Sequence, residues 1–286
     1  VLGHAPKSFK NPRPEFRSRK ETVAQTLCIG RFRSMCLLVY PLLCAGCVYA
    51  APVDANSGDS YLGQPAYSLD EVLRLPVRPY EFQPGDLLLP TDHTIFWSVT
   101  HDLAGAFQPH HSGIVIVRPD GSLGILEAGP HDTLRIKILD PIPSLKEYER
   151  GGPVWVRHRV TPLTEEQSQK LTEFAMKEEG KRFALIRQGA QLTPFRNRGP
   201  LRTWFMGKVK GPDRCSYFCS ELVVEALVAA GLIEAETARP AATYPRDLFM
   251  DHSYNLYINK HLKLAPDWDP PALWVSEPPA EVLSPR

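Results

Sequence analysis

Cys219 stands where the polar run Arg214-Cys215-Ser216-Tyr217-Phe218 gives way to the apolar, glycine-free helical pattern Cys219-Ser220-Glu221-Leu222-Val223-Val224. A thiol at a helix start meets unpaired backbone N–H groups and the positive end of the helix dipole. Both favour thiolate over thiol and lower the pKa from its free value of about 8.5. A sulfur nucleophile also needs a base to take its proton, and the base needs a third group to fix its tautomer and orientation. His111 leads into the apolar run Gly113-Ile114-Val115-Ile116-Val117, a good place for a base at a sheet end. Glu127 follows Ile125-Leu126, where a carboxylate is otherwise expensive to bury. In an antiparallel hairpin turning near Asp120-Gly121, residues 111 and 127 fall roughly opposite one another, although sequence alone does not fix the register. Cys219, His111 and Glu127 would then be the nucleophile, base and orienting group of a hydrolase or acyltransferase.

Each residue also has a plainer reading. A histidine beside a strand is commonly structural, a strand-end glutamate commonly faces water, and a cysteine on an apolar helix commonly packs as a small hydrophobe. It is their conjunction that points to chemistry. Cys215, four residues before Cys219, competes as nucleophile but sits in the preceding turn and is assigned to packing. His93, His101, His110 and His111 invite a metal reading, yet no His-Glu-x-x-His or Cys-x-x-Cys spacing accompanies them, so no metal and no cofactor is expected. Ser216 and Ser220 lack a G-x-S-x-G elbow.

The elements that must position these side chains are short strands followed by helices. Pro84-Gly85-Asp86 is a turn running into a buried strand, Leu87-Leu88-Leu89. His111 to Val117 forms a second strand, ended by Pro119-Asp120-Gly121, with Leu123 to Ala128 as its hairpin partner. Val154 to Val160, bounded by Gly151-Gly152-Pro153, forms another. Thr164-Glu165-Glu166-Gln167 opens a helix whose Leu171, Phe174 and Ala175 share a face as far as Gly180. Lys181 to Asp213 is basic, rich in Gly and Pro, and reads as a long loop covering a site. A second helix runs from Cys219 to Ala230 and stops at Gly231. In Tyr244-Pro245-Arg246-Asp247-Leu248 the proline opens a short helix. The class is α+β: an antiparallel sheet packed against two or three helices.

At 286 residues, 43% hydrophobic and 23% charged, the chain is ordinary for a globular protein with one catalytic domain. A net charge of +1 without a clustered basic stripe gives no footprint for nucleic acid. Arg31-Phe32-Arg33-Ser34 followed by the apolar run Met35 to Ala50 reads as a secretory signal, with about 15 apolar residues against the ~20 of a spanning helix. Cleavage after Ala50 competes with lipidation and membrane anchoring at Cys47, where Leu-Cys-Ala-Gly-Cys resembles a lipobox. A translation start nearer Met35 would leave Arg31 and Arg33 outside the signal. After cleavage only Cys215 and Cys219 remain, so no disulfide framework is implied. The expected organisation is a leader with signal peptide (1–50), a linker (51–79), a catalytic domain (80–265) and a loosely ordered Pro-rich tail (266–286).

Gly85-Asp86-Leu87-Leu88, His111-Ser112-Gly113-Ile114-Val115, Leu126-Glu127-Ala128 and Tyr217-Phe218-Cys219-Ser220-Glu221-Leu222-Val223, in that order, resemble the permuted papain-like (YiiX/YaeF-type) branch of the NlpC superfamily. The resemblance covers roughly Pro84 to Leu248, and Ser112 departs from it, standing where relatives often carry an aliphatic residue. It implies a circularly permuted papain-like (NlpC-type) fold in which His and its polar partner precede Cys. It also implies Cys219 as nucleophile, His111 as base and Glu127 as third member. The Cys219 N–H and the Tyr217 hydroxyl are candidates for the oxyanion hole. The expected function is an extracytoplasmic (periplasmic or secreted) cysteine amidase or peptidase, acting through an acyl-enzyme on cell-wall peptides such as peptidoglycan. One alternative is a lipid or acyl-ester hydrolase or acyltransferase, which an apolar pocket beside Cys219 would favour. The other is a catalytically silent binding module with an unreactive Cys219.

Overall fold

Continuous apolar runs mark the central strands because both faces of their sheet are covered. The computed structural model describes residues 60–91, 95–191, 193, 199–210 and 214–277. The Arg31–Ala50 segment, Cys28, Cys36, Cys44, Cys47, His93 and Phe195 lie outside the described residues. Along the chain come β1 (Tyr61–Leu62), β2 (Arg78–Pro79), β3 (Leu87–Pro90), α1 (Ile95–Ala104) and the hairpin β4 (Gly113–Val117) and β5 (Leu123–Ala128). There follow β6 (Ile136–Leu139), α2 (Pro141–Gly151), β7 (Val154–Arg157), α3 (Glu165–Glu178), β8 (Arg182–Phe183), α4 (Leu185–Gln191) and α5 (Pro200–Met206). The described chain ends with β9 (Ser216–Tyr217), α6 (Cys219–Ala229), α7 (Pro245–Met250), α8 (Leu256–His261) and β10 (Ala272–Val275). The fold is α+β, built on an eight-stranded sheet of order β2-β1-β10-β7-β3-β4-β5-β6 in which every neighbouring pair is antiparallel.

Side-chain alternation sorts the strand residues between two cores. Leu87, Leu89, Ile114, Ile116, Leu126 and Trp155 pack with Leu171 and Ala175 of α3 and Leu222, Val223 and Ala226 of α6. Leu88, Val115, Ile125, Val154 and Val156 face the other way and pack with Leu145 and Tyr148 of α2. The hairpin ends face both layers, so they can join groups from α2 and α6. Helix α3 starts where Thr164 caps it: its hydroxyl accepts from the Gln167 N–H while Gln167 reaches back to the Thr164 N–H. Helix α6 ends before Gly231, whose φ of +72° suits a residue without Cβ.

Four expectations need correction. The stretch read as linker contributes β1 and β2, and the tail read as loosely ordered contributes β10, which lies between β1 and β7 with Trp274 buried. β1 and β10 are defined by partners far away in sequence, with Tyr61 opposite Val275, β2 pairs only with β1, and these strands of two to four residues have no hairpin signal. The Lys181–Asp213 region carries β8, α4 and α5 instead of one long loop. The strand read as Val154 to Val160 ends at Arg157, with Arg159 making only an isolated bridge to Trp268.

Candidate active site

Strand β9 delivers the chain to the nucleophile. It pairs in parallel with β8, and the Ala184 N–H donates to the Tyr217 carbonyl, so the residues before Cys219 are fastened to the edge of the fold. Phe218 then takes an extended conformation and Cys219 is the first residue of α6. The Glu221 carboxylate accepts from the Phe218 N–H at 3.1 Å. It is fully buried, held bidentately by Arg187 of α4 at 3.0 and 2.7 Å, and also paired with Arg214. Two arginines from the basic region therefore clamp the nucleophile turn. Planar forks of this kind fix direction as well as charge.

His111 lies two residues before β4, and its N–H donates to the carbonyl of Pro90 at the end of β3 at 3.1 Å. The observed register sets Gly113, not His111, opposite Glu127. Glu127 nevertheless reaches His111, with 3.1 Å between His111 Nε2 and Glu127 Oε2, because Gly113 leaves room for it. A Cβ at 113 would stand 2.7 Å from Glu127 Cγ. Gly113→Ala is therefore expected to displace the carboxylate, cost about 1–3 kcal/mol of stability and sharply reduce the reactivity of Cys219. Denaturant unfolding and thiol alkylation of the same preparation check this.

With Nε2 on Glu127, the other ring nitrogen of His111 is left to serve the thiol. Burial alone would push the His111 pKa down. The hydrogen bonds and negative charges of Cys219 and Glu127 more than offset it and raise the pKa to about 10. Burial would likewise push the Cys219 thiol up, but the His111 hydrogen bond and charge, the Ser112 hydroxyl and the Ser220 N–H together bring it below its usual value. The arrangement favours a thiolate–imidazolium pair. Ser112, read from sequence as a mild departure, points by alternation to the α6 side and is fully buried beside the sulfur. The structure thus brings Cys219, His111 and Glu127 together: His111 Nε2 meets Glu127 Oε2 at 3.1 Å, the same imidazole is near enough to the thiol to lower its pKa, and Cys219 Sγ also approaches the His110 carbonyl at 4.0 Å.

Tyr217 is not part of it. Its side chain is buried, and its hydroxyl faces Glu178 of α3; burial and that carboxylate hold its pKa far above the usual tyrosine range. Tyr217 packs in the core with Leu222 and Val223 and does not line the pocket onto which Cys219 opens, so the expected oxyanion role of the Tyr217 hydroxyl is withdrawn. Tyr148 of α2 is the tyrosine at the site. Its hydroxyl donates to Glu127 Oε2 at 2.6 Å, and its ring stacks on His131 with centroids 4.4 Å apart. Burial, then Glu127, then Cys219 raise its pKa well above the usual value, so it remains a donor. The sequence does hold a signal for it: Pro141 follows Asp140 as at a helix start, and Leu145 and Tyr148 are three apart on one face.

Cys219 opens onto a pocket of about 550 Å³, mouth included, between α1, α4 and the start of α7. Ala104, Ala106, Phe183, Phe218, Tyr244 and Pro245 form most of its wall, with His101, His110, Gln188, Gln191, Ser220 and Thr243 as the polar members. Ser220 is turned away from chemistry, donating to the Thr243 carbonyl at 2.7 Å. Cys215 is exposed and Cys219 buried, and neither is in a disulfide. Among the described residues no three His, Cys, Asp or Glu side chains group as a metal site.

No family model matches this chain. No curated protein matches it either. Among solved structures it is similar to the metalloprotein YiiX from Escherichia coli O157:H7, at 18% identity and a TM-score of 0.36, over 68% of this chain and 90% of that one. The relation to that structure is distant.

Proposed function

We propose that this chain is a cysteine acyl hydrolase or acyltransferase on a permuted papain-like scaffold, with Cys219 as nucleophile, His111 as acid and base, and Glu127 as the group that orients the imidazole. The Cys219 thiolate attacks the carbonyl carbon of an ester or amide. The oxyanion forms at the start of α6, where first-turn N–H groups lack intrahelical partners. The His111 imidazolium gives its proton to the leaving alcohol or amine as the carbon–oxygen or carbon–nitrogen bond breaks. A thioester remains on Cys219. Neutral His111 then takes a proton from water or another acceptor, which attacks the thioester, expels the sulfur as thiolate and restores the thiolate–imidazolium pair.

One observation favours an acyl group over a cell-wall peptide: among the described residues that line the pocket there is no Lys, Arg, Asp or Glu. A cell-wall peptide would need charged or strongly polar partners for its ends, whereas this wall suits an apolar acyl group. Action outside the cytoplasm rests on the Arg31–Ala50 segment alone.

A series of p-nitrophenyl esters from acetyl to decanoyl tests the reading. Burial of each methylene is worth about 0.8 kcal/mol, so kcat/KM is expected to rise about three- to fourfold per CH2 until the pocket is full. Intact-mass analysis should show the acyl group on Cys219. A flat or falling series, or faster cleavage of cell-wall peptides, would return the assignment to an amidase.

A further inference from the structure

Large apolar side chains are exposed along one continuous ridge beside this pocket. Pro245, at the start of α7, lines the pocket, and its neighbour Arg246 lies between two exposed rings, 5.7 Å from the Phe107 centroid and 5.9 Å from that of Tyr254. The residue after Tyr254 continues the chain of contacts: Asn255 Nδ2 donates to Thr203 Oγ1 at 2.8 Å. Beyond Thr203, α5 presents Trp204 and Phe205, 56% and 67% exposed, with ring centroids 5.1 Å apart. Tyr254 and Leu256 are 71% and 84% exposed. Bare aromatic and aliphatic groups of this size are costly in water unless something covers them.

The charges along the ridge say what covers it. Arg246 sits within it, and exposed Lys208 and Lys210 follow the aromatic pair. Of the nearby acids, Asp247 is buried and accepts from the Tyr244 N–H, and Asp251 accepts from the Leu264 and Ala265 N–H groups. Backbone hydrogen bonds leave both carboxylates charged, but Asp247 is buried, and the exposed charges that follow the aromatic pair are those of Lys208 and Lys210. Tryptophan and tyrosine beside lysine and arginine is the chemistry of a headgroup boundary, where rings enter the acyl edge and cations meet lipid phosphate. Among the described residues no helix is long and apolar enough to cross a bilayer.

We infer that the ridge from Phe107 through Arg246 and Tyr254 to Trp204 and Phe205 docks this protein on an anionic lipid bilayer, with the Cys219 pocket beside the contact. The inference stands on the ridge itself and does not require that the pocket take acyl groups. It is therefore tested with the full chain carrying Cys219→Ala, in co-sedimentation with vesicles of phosphatidylcholine alone or mixed with phosphatidylglycerol.

Binding is expected to the mixed vesicles, to weaken as salt screens the charges, and to be poor on phosphatidylcholine alone. Trp204→Ser with Phe205→Ser should lower the partition coefficient about tenfold or more. Lys208→Glu with Lys210→Glu should weaken binding to the anionic vesicles selectively, and being exposed charges they leave the fold intact. Failure of the parent to bind mixed vesicles, or binding that neither pair of substitutions alters, would overturn the proposal. So would a dimer in sedimentation velocity that the aromatic substitutions abolish, since the ridge would then be an interface between copies. None of these results bears on esterase activity, so the two proposals fail separately.

Discussion

Cys219→Ala is expected to remove ester turnover by about a thousandfold or more, the scale on which loss of a nucleophile is felt. Cys215→Ala should leave turnover within about twofold of the parent, because only exposed surface changes there. The contrast is sharp because the two thiols are four residues apart but lie in different settings. Cys219 begins α6 with imidazole, hydroxyl and amide groups directed at its sulfur. Cys215 precedes β9 and is exposed. Replacing a small buried thiol by a methyl group removes little volume, so the Cys219 variant should remain folded, which circular dichroism and the melting temperature check. Iodoacetamide followed by peptide mapping gives a second reading independent of substrate. Selective labelling of Cys219 at neutral pH supports the nucleophile, and an inert Cys219 in a folded protein would favour a binding module.

How much of this was legible before the fold was known differs from element to element. Strands β3, β4, β5 and β7 are readable because their residues are apolar on both faces and are bounded by turns. Helices α3 and α6 are readable from the Thr164 capping box and from Gly231. The row at Cys219 was readable because its three members sit at ends of these legible elements. Strands β1, β2 and β10 were not, since strands of two to four residues carry little period, and β1 and β10 gain their identity from each other across more than 200 residues, with Tyr61 opposite Val275. Composition misled in the same places: Pro266, Pro270 and Pro271 surround a segment that nonetheless supplies buried Trp274. Tyr217 was misassigned because its hydroxyl is taken up in the core beside Glu178, which nearness in sequence to Cys219 does not reveal. Tyr148 was missed because a hydroxyl from a separate helix becomes relevant only when α2 is laid on the face that carries Glu127.

The thiolate–imidazolium pair should set an unusual pH dependence, and Glu127 should control it. A free thiol near pKa 8.5 loses reactivity about tenfold per pH unit below that value. Alkylation of Cys219 should instead stay nearly level from neutral into mildly acidic pH, since its thiolate persists below the ordinary range and His111 keeps its proton up to about pH 10. Glu127→Gln keeps the shape but removes the charge facing Nε2, so the imidazolium is less favoured and the thiolate with it. At pH 6 its alkylation rate should fall about tenfold, the equivalent of one pKa unit. Tyr148→Phe, which deletes only the 2.6 Å hydrogen bond to Glu127, should fall by less. Stability should follow the same pair. The raised His111 value contributes stability fully present below its unfolded pKa of about 6.5 and lost as pH rises through about 10. The lowered Cys219 value contributes stability present above the unfolded thiol pKa of about 8.5 and lost as pH falls through its folded value. Between about 6.5 and 8.5 the two slopes are opposite and cancel, because folded and unfolded states both hold one proton on the pair. The excess melting temperature of the parent over His111→Gln with Cys219→Ser should therefore be level across that window and decline on both sides. An excess that slopes steadily through neutrality would mean the two groups titrate independently, and the nucleophile would then rest as a neutral thiol.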